Sequence, residues 1–433
     1  MKPQASDRQA GDCERPAIRK IEAGDVADFS GATEKPVIRA AALRAAALRA
    51  PPCGLRLSGA RIEGGLDLSC LTLPALVLEG CDLPDAIDVS NARLGALSLD
   101  GSRFRCLSAR GAVIDGPFDF SDTAPFEDAA FIDAGKARIR GGVTGFRARL
   151  RMPPTRPREQ VKMWDHVYAL RLSEADIGGN VWLADGFTAE GGVCLDDTHV
   201  AGSFSLSNGA RITASESDKL HPGDAFHAYH FRCDGMCGMN FGLQSEGRIF
   251  IAFSTFGSRI HLDGTFRKSA ETYDFKGRRL NTSAALMIDD CEIGANVAVT
   301  ADTAIDGSVS LSRCRIGGNV SFAGNSFANI ASVCTAIANK SDDGQSPALV
   351  MDQSEIHRDL LFGHRFSAQG RVSLARVRIG GDLDATGAQF DNGNGVALDL
   401  RRASADEIRP DPKSIETRGR VEYGGLTVGR RTT

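Results

Sequence analysis

The stretch ALMIDDCEIGANVAVTADTAIDGSVSLSRCRIGGNVSF, residues 285–322, carries apolar residues two apart at Leu286/Ile288, Val297/Val299, Val309/Leu311 and Val320/Phe322. Their first members step by 11, 12 and 11. Leu170/Leu172, Val181/Leu183, Val193/Leu195 and Phe204/Leu206 repeat that stepping, as do Leu349/Met351, Leu360/Phe362, Val372/Leu374 and Leu383/Ala385. Residues two apart face one side of an extended strand, whereas a helix needs apolar positions three and four apart. Between the pairs lies a weaker signal of a small residue, a polar one and then Ile or Phe. Examples are Cys291-Glu292-Ile293, Cys314-Arg315-Ile316, Ala175-Asp176-Ile177 and Ala388-Gln389-Phe390. Inward positions returning every five or six residues require very short strands joined by bends. Four such sides make a turn of about 23 residues, and the chain coils as a parallel β-solenoid.

The composition agrees. Of 433 residues 48 are Gly, and Phe supplies 22 residues against 4 Tyr and 2 Trp. Gly64, Gly179, Gly191, Gly202, Gly307, Gly318, Gly370 and Gly381 each precede an inward pair by two or three residues, where a tight bend favours a residue without Cβ. Phe fills a core column without the polar atom of Tyr or Trp, which would need a partner there. A hydrophobic share of 42% with 24% charged residues excludes general disorder. The formal charge of −4 gives the whole chain no bias toward nucleic acid or membranes.

The N-terminal part runs tighter. Leu66/Leu68, Leu76/Leu78, Ile87/Val89, Leu97/Leu99, Leu107/Ala109 and Phe118/Phe120 step by 10 or 11. Within it, Gly59-Ala60-Arg61-Ile62 and Asn91-Ala92-Arg93-Leu94 resemble degenerate copies of the pentapeptide repeat, as does Ala175-Asp176-Ile177 further on. The resemblance implies a right-handed quadrilateral parallel β-helix. Higher-order units open at Ala169, Ala225, Ala285, Ala348 and Ala397. This block grammar, over about residues 20–430, resembles bacterial β-helix proteins often labelled membrane-associated oxidoreductases, which implies a redox activity. The sequence departs from the pentapeptide pattern in its six-residue sides and its insertions.

The expected organisation is an N-terminal tail and capping helix over 1–52, then a β-helix over 53–430 of about 13 turns, on the order of 60 Å long. The cap is the Ala-rich run Val37–Ala50, stopped by Pro51-Pro52. Loops are expected near 147–165, 213–224, 264–284, 328–347 and 391–395, leaving from one corner because they interrupt the repeat at one phase. No run is long enough for a membrane helix, Met1–Cys13 has no apolar signal-peptide core, and 11 scattered Cys suggest a reducing compartment. The expectation is a cytoplasmic protein, with peripheral attachment to the inner face of the membrane as the variant that the family label suggests.

Chemistry is sparsely signalled. His227, His230, Cys233 and Cys237 have metal-like spacing. Aligned on the unit opening at Ala169, however, both Cys fall on inward positions and both His on outward ones, so convergence on zinc is not expected. Cys81, Cys291 and Cys314 take a small inward slot. There is no Cys-x-x-Cys pair, strand-Gly-x-Gly-x-x-Gly-helix unit or Gly-Lys-Ser/Thr loop, and no cofactor is expected. Asp196-Asp197, Asp289-Asp290 and Asp352 follow strand pairs; they could serve acid–base chemistry on a polysaccharide, or simply stabilise bends. Charge is uneven, with 13 acidic and 5 basic residues over 61–133 against 10 basic and 2 acidic over 136–171. The basic run contains Arg147, Arg149, Arg151, Arg156, Arg158 and Lys162, a candidate surface for phosphate in nucleic acid or anionic lipid. The overall expectation is a non-catalytic binding or scaffold protein with a protein partner. The alternatives are an enzyme on the β-helix face, acting on polysaccharide or by redox chemistry, and anion binding through the Arg-rich loop.

Overall fold

The computed structural model describes residues 5–153, 168–214, 223–268, 272–273, 279–280, 284–300, 303–322, 326–328, 347–363 and 366–429. The chain forms a parallel β-helix with four short sides per turn, and divides into two compact units, residues 1–202 and 203–433.

In the first unit, one turn runs through the strands Leu170–Arg171, Asp176–Ile177, Val181–Leu183 and Thr188–Glu190, called here the first to fourth sides. Leu170 lies beside Val193 and Asp176 beside His199, each 23 residues on. Nearer the N-terminus Leu76, Leu97 and Phe118 stack in register at intervals of 21. In the second unit the second side stacks Glu292–Ile293, Arg315–Ile316, Glu355–Ile356 and Arg378–Ile379, and the third stacks Val297, Val320, Leu360 and Leu383. Ile293, Ile316 and Ile356 are fully enclosed, and Phe322 stacks on Phe362 at 5.7 Å. Burying each such side chain stabilises the coil by roughly 1.5–3 kcal/mol.

The corner between the first and second sides takes a left-handed backbone once per turn. Its occupants are Cys70, Asn91, Gly111, Lys136, Glu174 and Asp197 in the first unit, and His230, Phe253, Asp290, Arg313, Gln353, Arg376, Arg402 and Gly425 in the second. Each bend is locked to the adjacent turn, as where the Asp290 N–H donates to the Ser312 carbonyl at 3.0 Å. The slot that follows holds a small buried residue in most turns, with Phe231 and Val377 the larger buried occupants. Ser354 there accepts from the Cys314 N–H and donates to the Leu311 carbonyl.

Glycine serves two purposes. Gly307 adopts φ +138°, as a bend requires, whereas a Cβ on Gly317 would lie 2.4 Å from the Gly294 carbonyl oxygen of the adjacent turn. At Gly317 the demand is close approach of two backbones, a reason distinct from bend geometry.

Outward charges alternate along the second side: Arg315 lies between Glu292 and Glu355 at 4.0 Å from each, and Arg378 is 3.3 Å from Glu355. Opposite charges directly across a ladder favour this register over a slipped one.

The sequence reading of the N-terminus needs correction. Val37–Arg39 is a strand paired with Arg61–Glu63, and the helix covers only Ala40–Ala47. Burial of Ile38 beside Ile62 outweighs helix propensity there. A longer helix, Ala5–Ala23, was not expected from its polar composition. It buries Ala17 and Ile21, and Glu14 binds Arg39. In the second unit the chain leaves the fourth side after Arg211–Thr213, Ile260–Arg267 and Ser326–Ala328, and re-enters the first side at Asp224, Ala284 and Pro347. The boundaries differ in that Arg149–Arg151 and the whole of Ile260–Arg267 are strand, and 391–395 is a bulge within Gln389–Asp399.

We expect Gly317→Ala to reduce stability by about 1–3 kcal/mol, read from the midpoint of urea unfolding, because the added methyl overpacks two backbones.

Candidate functional site

The arginines singled out in the first unit sit in cross-turn ion pairs. Arg147, at a left-handed corner, donates through Nε and Nη2 to Asp122, both at 2.7 Å. That bidentate hydrogen bond holds the Asp122 carboxyl below its ordinary range. Arg151 grips Glu190 at 2.6 and 2.8 Å. Arg149, on the same strand, points to solvent. Arg156, Arg158 and Lys162 lie outside the described residues. Two of the three described guanidinium groups therefore join neighbouring turns.

The His/Cys cluster does not converge. Cys233 and Cys237 are fully buried, and burial pushes the Cys233 thiol up to about 11 and that of Cys237 well above its usual value. His230 is exposed at its corner. His227, expected to be exposed, is 4% exposed. It lies on the face of its strand opposite Phe226 and Ala228, but Asp224 takes its Nδ1 at 2.7 Å and Phe250 stacks on its ring at 4.7 Å. Arg248 completes the group by pairing with Asp224 through Nε at 2.6 Å. Among the described residues no cluster of three His, Cys, Asp or Glu side chains could hold a metal.

The paired carboxylates stabilise the coil. Asp289 Oδ1 accepts from Ser310 Oγ at 2.6 Å and from the Ser312 N–H at 3.0 Å, and Asp352 accepts likewise from Ser373 and the Ala375 N–H. Asp290 is held by two hydrogen bonds from Arg313. Asp197 takes the left-handed corner conformation. These are bend functions, for which Asp is suited because its carboxylate bonds nearby backbone.

Cys81, Cys291 and Cys314 are buried in the small inward slot, as expected. Burial raises the Cys81 thiol to about 11. Among the described residues no helix is long and apolar enough to cross a membrane.

One feature escaped the repeat analysis. Tyr229, His230 and Phe253 cluster on the outside, with ring centroids 4.1, 5.2 and 5.9 Å apart. Its signal is visible when Ala252-Phe253-Ser254 is aligned on Asp289-Asp290-Cys291, which puts Phe where other turns carry a polar residue. The chain matches no protein-family model and no curated protein sequence.

Two outcomes follow. Maleimide should label Cys53 and Cys70 in the native protein, whereas Cys194, Cys233, Cys237, Cys291 and Cys314 should react only after denaturation, read by mass spectrometry. Acid should also destabilise the fold. At Asp399 burial raises the carboxyl, but hydrogen bonds from Arg401 and the charges of Arg371 and Arg401 outweigh it and set the net shift downward. A lowered native pKa stabilises the fold above the unfolded value of about 4 and is lost as pH falls through the native one. Thermal midpoints should therefore fall with pH below about 4, less steeply in Asp399→Asn.

Proposed function

We propose that this protein is a non-catalytic scaffold that presents a β-helical face and its insertions to a protein partner. The observation that carries the proposal is the common exit of the second unit's insertions from one corner of a regular coil. Repeat proteins place variable segments this way on a binding face. The carboxylates that might have served acid–base chemistry are spent on bends and arginines, which favours binding over catalysis. The resemblance to pentapeptide-repeat-like proteins and the cytoplasmic setting belong to the same proposal.

The test is affinity capture from lysate with the full chain and with a variant in which 215–222 and 329–346 are replaced by short Gly-Ser linkers. A partner retained by the full chain and lost by the variant, at unchanged circular dichroism, is the expected result. Identical partner sets would count against the proposal.

A second reading, anion binding through the Arg-rich segment, is favoured only by the exposed Arg149. Arg149→Glu is the suitable variant, since Arg147 and Arg151 hold neighbouring turns together. Salt-sensitive sedimentation with anionic liposomes that this change abolishes would support it.

A further inference from the structure

The left-handed corner of the second unit has a chemical preference. Gly, Asn and Asp adopt this backbone most readily, and bulky side chains are disfavoured there. Most of its occupants are polar or charged, but Phe253 is neither, and it is 50% exposed. Neither backbone preference nor burial accounts for it. Tyr229 and His230 place their rings against it, whereas among the described residues the largest fully buried side chains are all Phe.

The geometry narrows what the rings can take. Their centroids are too close to enclose a cation between them, which separates the cluster from an aromatic cage. The nearby charges leave no positive surplus: Arg313 is shared by Asp289 and Asp290, and Arg232 pairs with Asp234. A phosphate-bearing partner would call for surplus positive charge. Three rings also fall far short of the roughly 800 Å² per partner that a stable protein interface buries.

We propose that Tyr229, His230 and Phe253 form a ledge that binds an uncharged glycan chain. A sugar ring lays its C–H groups on the electron-rich faces of aromatic rings. Its hydroxyls meet an acceptor in the Asp290 carboxylate at the same corner of the adjacent turn, which keeps lone pairs beyond those Arg313 uses. The ledge lies between the first and second sides, whereas the insertions leave between the fourth and first. Glycan binding is thus independent of the scaffold proposal, and either can fail alone.

The experiment is affinity electrophoresis of the full chain in gels containing soluble mixed-linkage β-glucan, galactomannan or amylopectin. At least one should retard the protein, and Phe253→Asn and Tyr229→Ala should each weaken retardation tenfold or more. Phe253→Asn should keep or raise the thermal midpoint, because Asn suits the left-handed corner better than Phe, so lost binding cannot be blamed on unfolding. Phe241→Asn is the control. Phe241 is also exposed at φ 54°, but at the corner between the third and fourth sides, and its replacement should leave retardation intact. Absence of retardation in all three gels overturns the proposal. So does retardation unchanged in both ledge variants.

Discussion

Everything in this fold depends on the parallel ladder between successive turns. Each residue sits beside its counterpart one turn away, so a side chain's neighbours are set by the register. That constraint explains why Ile293, Ile316 and Ile356 form a column, why Phe322 stacks on Phe362, and why Ser354 serves two backbone groups of the adjacent turn. Backbone hydrogen bonds that would be intrastrand in a helix are here made to the next turn, and no turn is satisfied alone.

Stacking has an electrostatic consequence on the outside. Like charges in one column would repel at the ladder spacing of about 4.8 Å, so stable columns alternate sign or borrow a partner. Glu292, Arg315, Glu355 and Arg378 alternate, while Asp122 with Arg147 and Glu190 with Arg151 pair across turns. Among the described residues of the arginine-rich run, Arg147 and Arg151 thereby form a seam between turns. The acidic stretch before it supplies one of the partners, Asp122, which is why segment charges overstate the local field.

The aromatic ledge is informative against this background. The other occupants of this corner in the second unit are glycine or polar and charged side chains, which meet solvent or pair across turns. Phe253 and Phe241 both lie outside the preference, the core and the charge pairing, and Phe253 differs in having the Tyr229 and His230 rings against it. Sites of function are where such local rules are broken.

The two-residue spacing of apolar pairs was enough to read the coil and its four sides, because a period-two signal survives without long-range information. The same logic placed Cys233 and Cys237 inward and assigned the Asp pairs to bends. It could not read Val37–Arg39 as strand, since an Ala-rich context favours helix until Ile62 is alongside, nor Ala5–Ala23 as helix, whose apolar face is narrow. It placed His227 outside, and only the tertiary structure buried it, through Asp224 and Phe250 from the same and the neighbouring turn. What the sequence by itself determined is the periodicity of the backbone and which residues point inward. Which outward residues meet was decided only by the tertiary structure, because partners across turns lie more than twenty residues apart and insertions of unequal length change that distance from turn to turn.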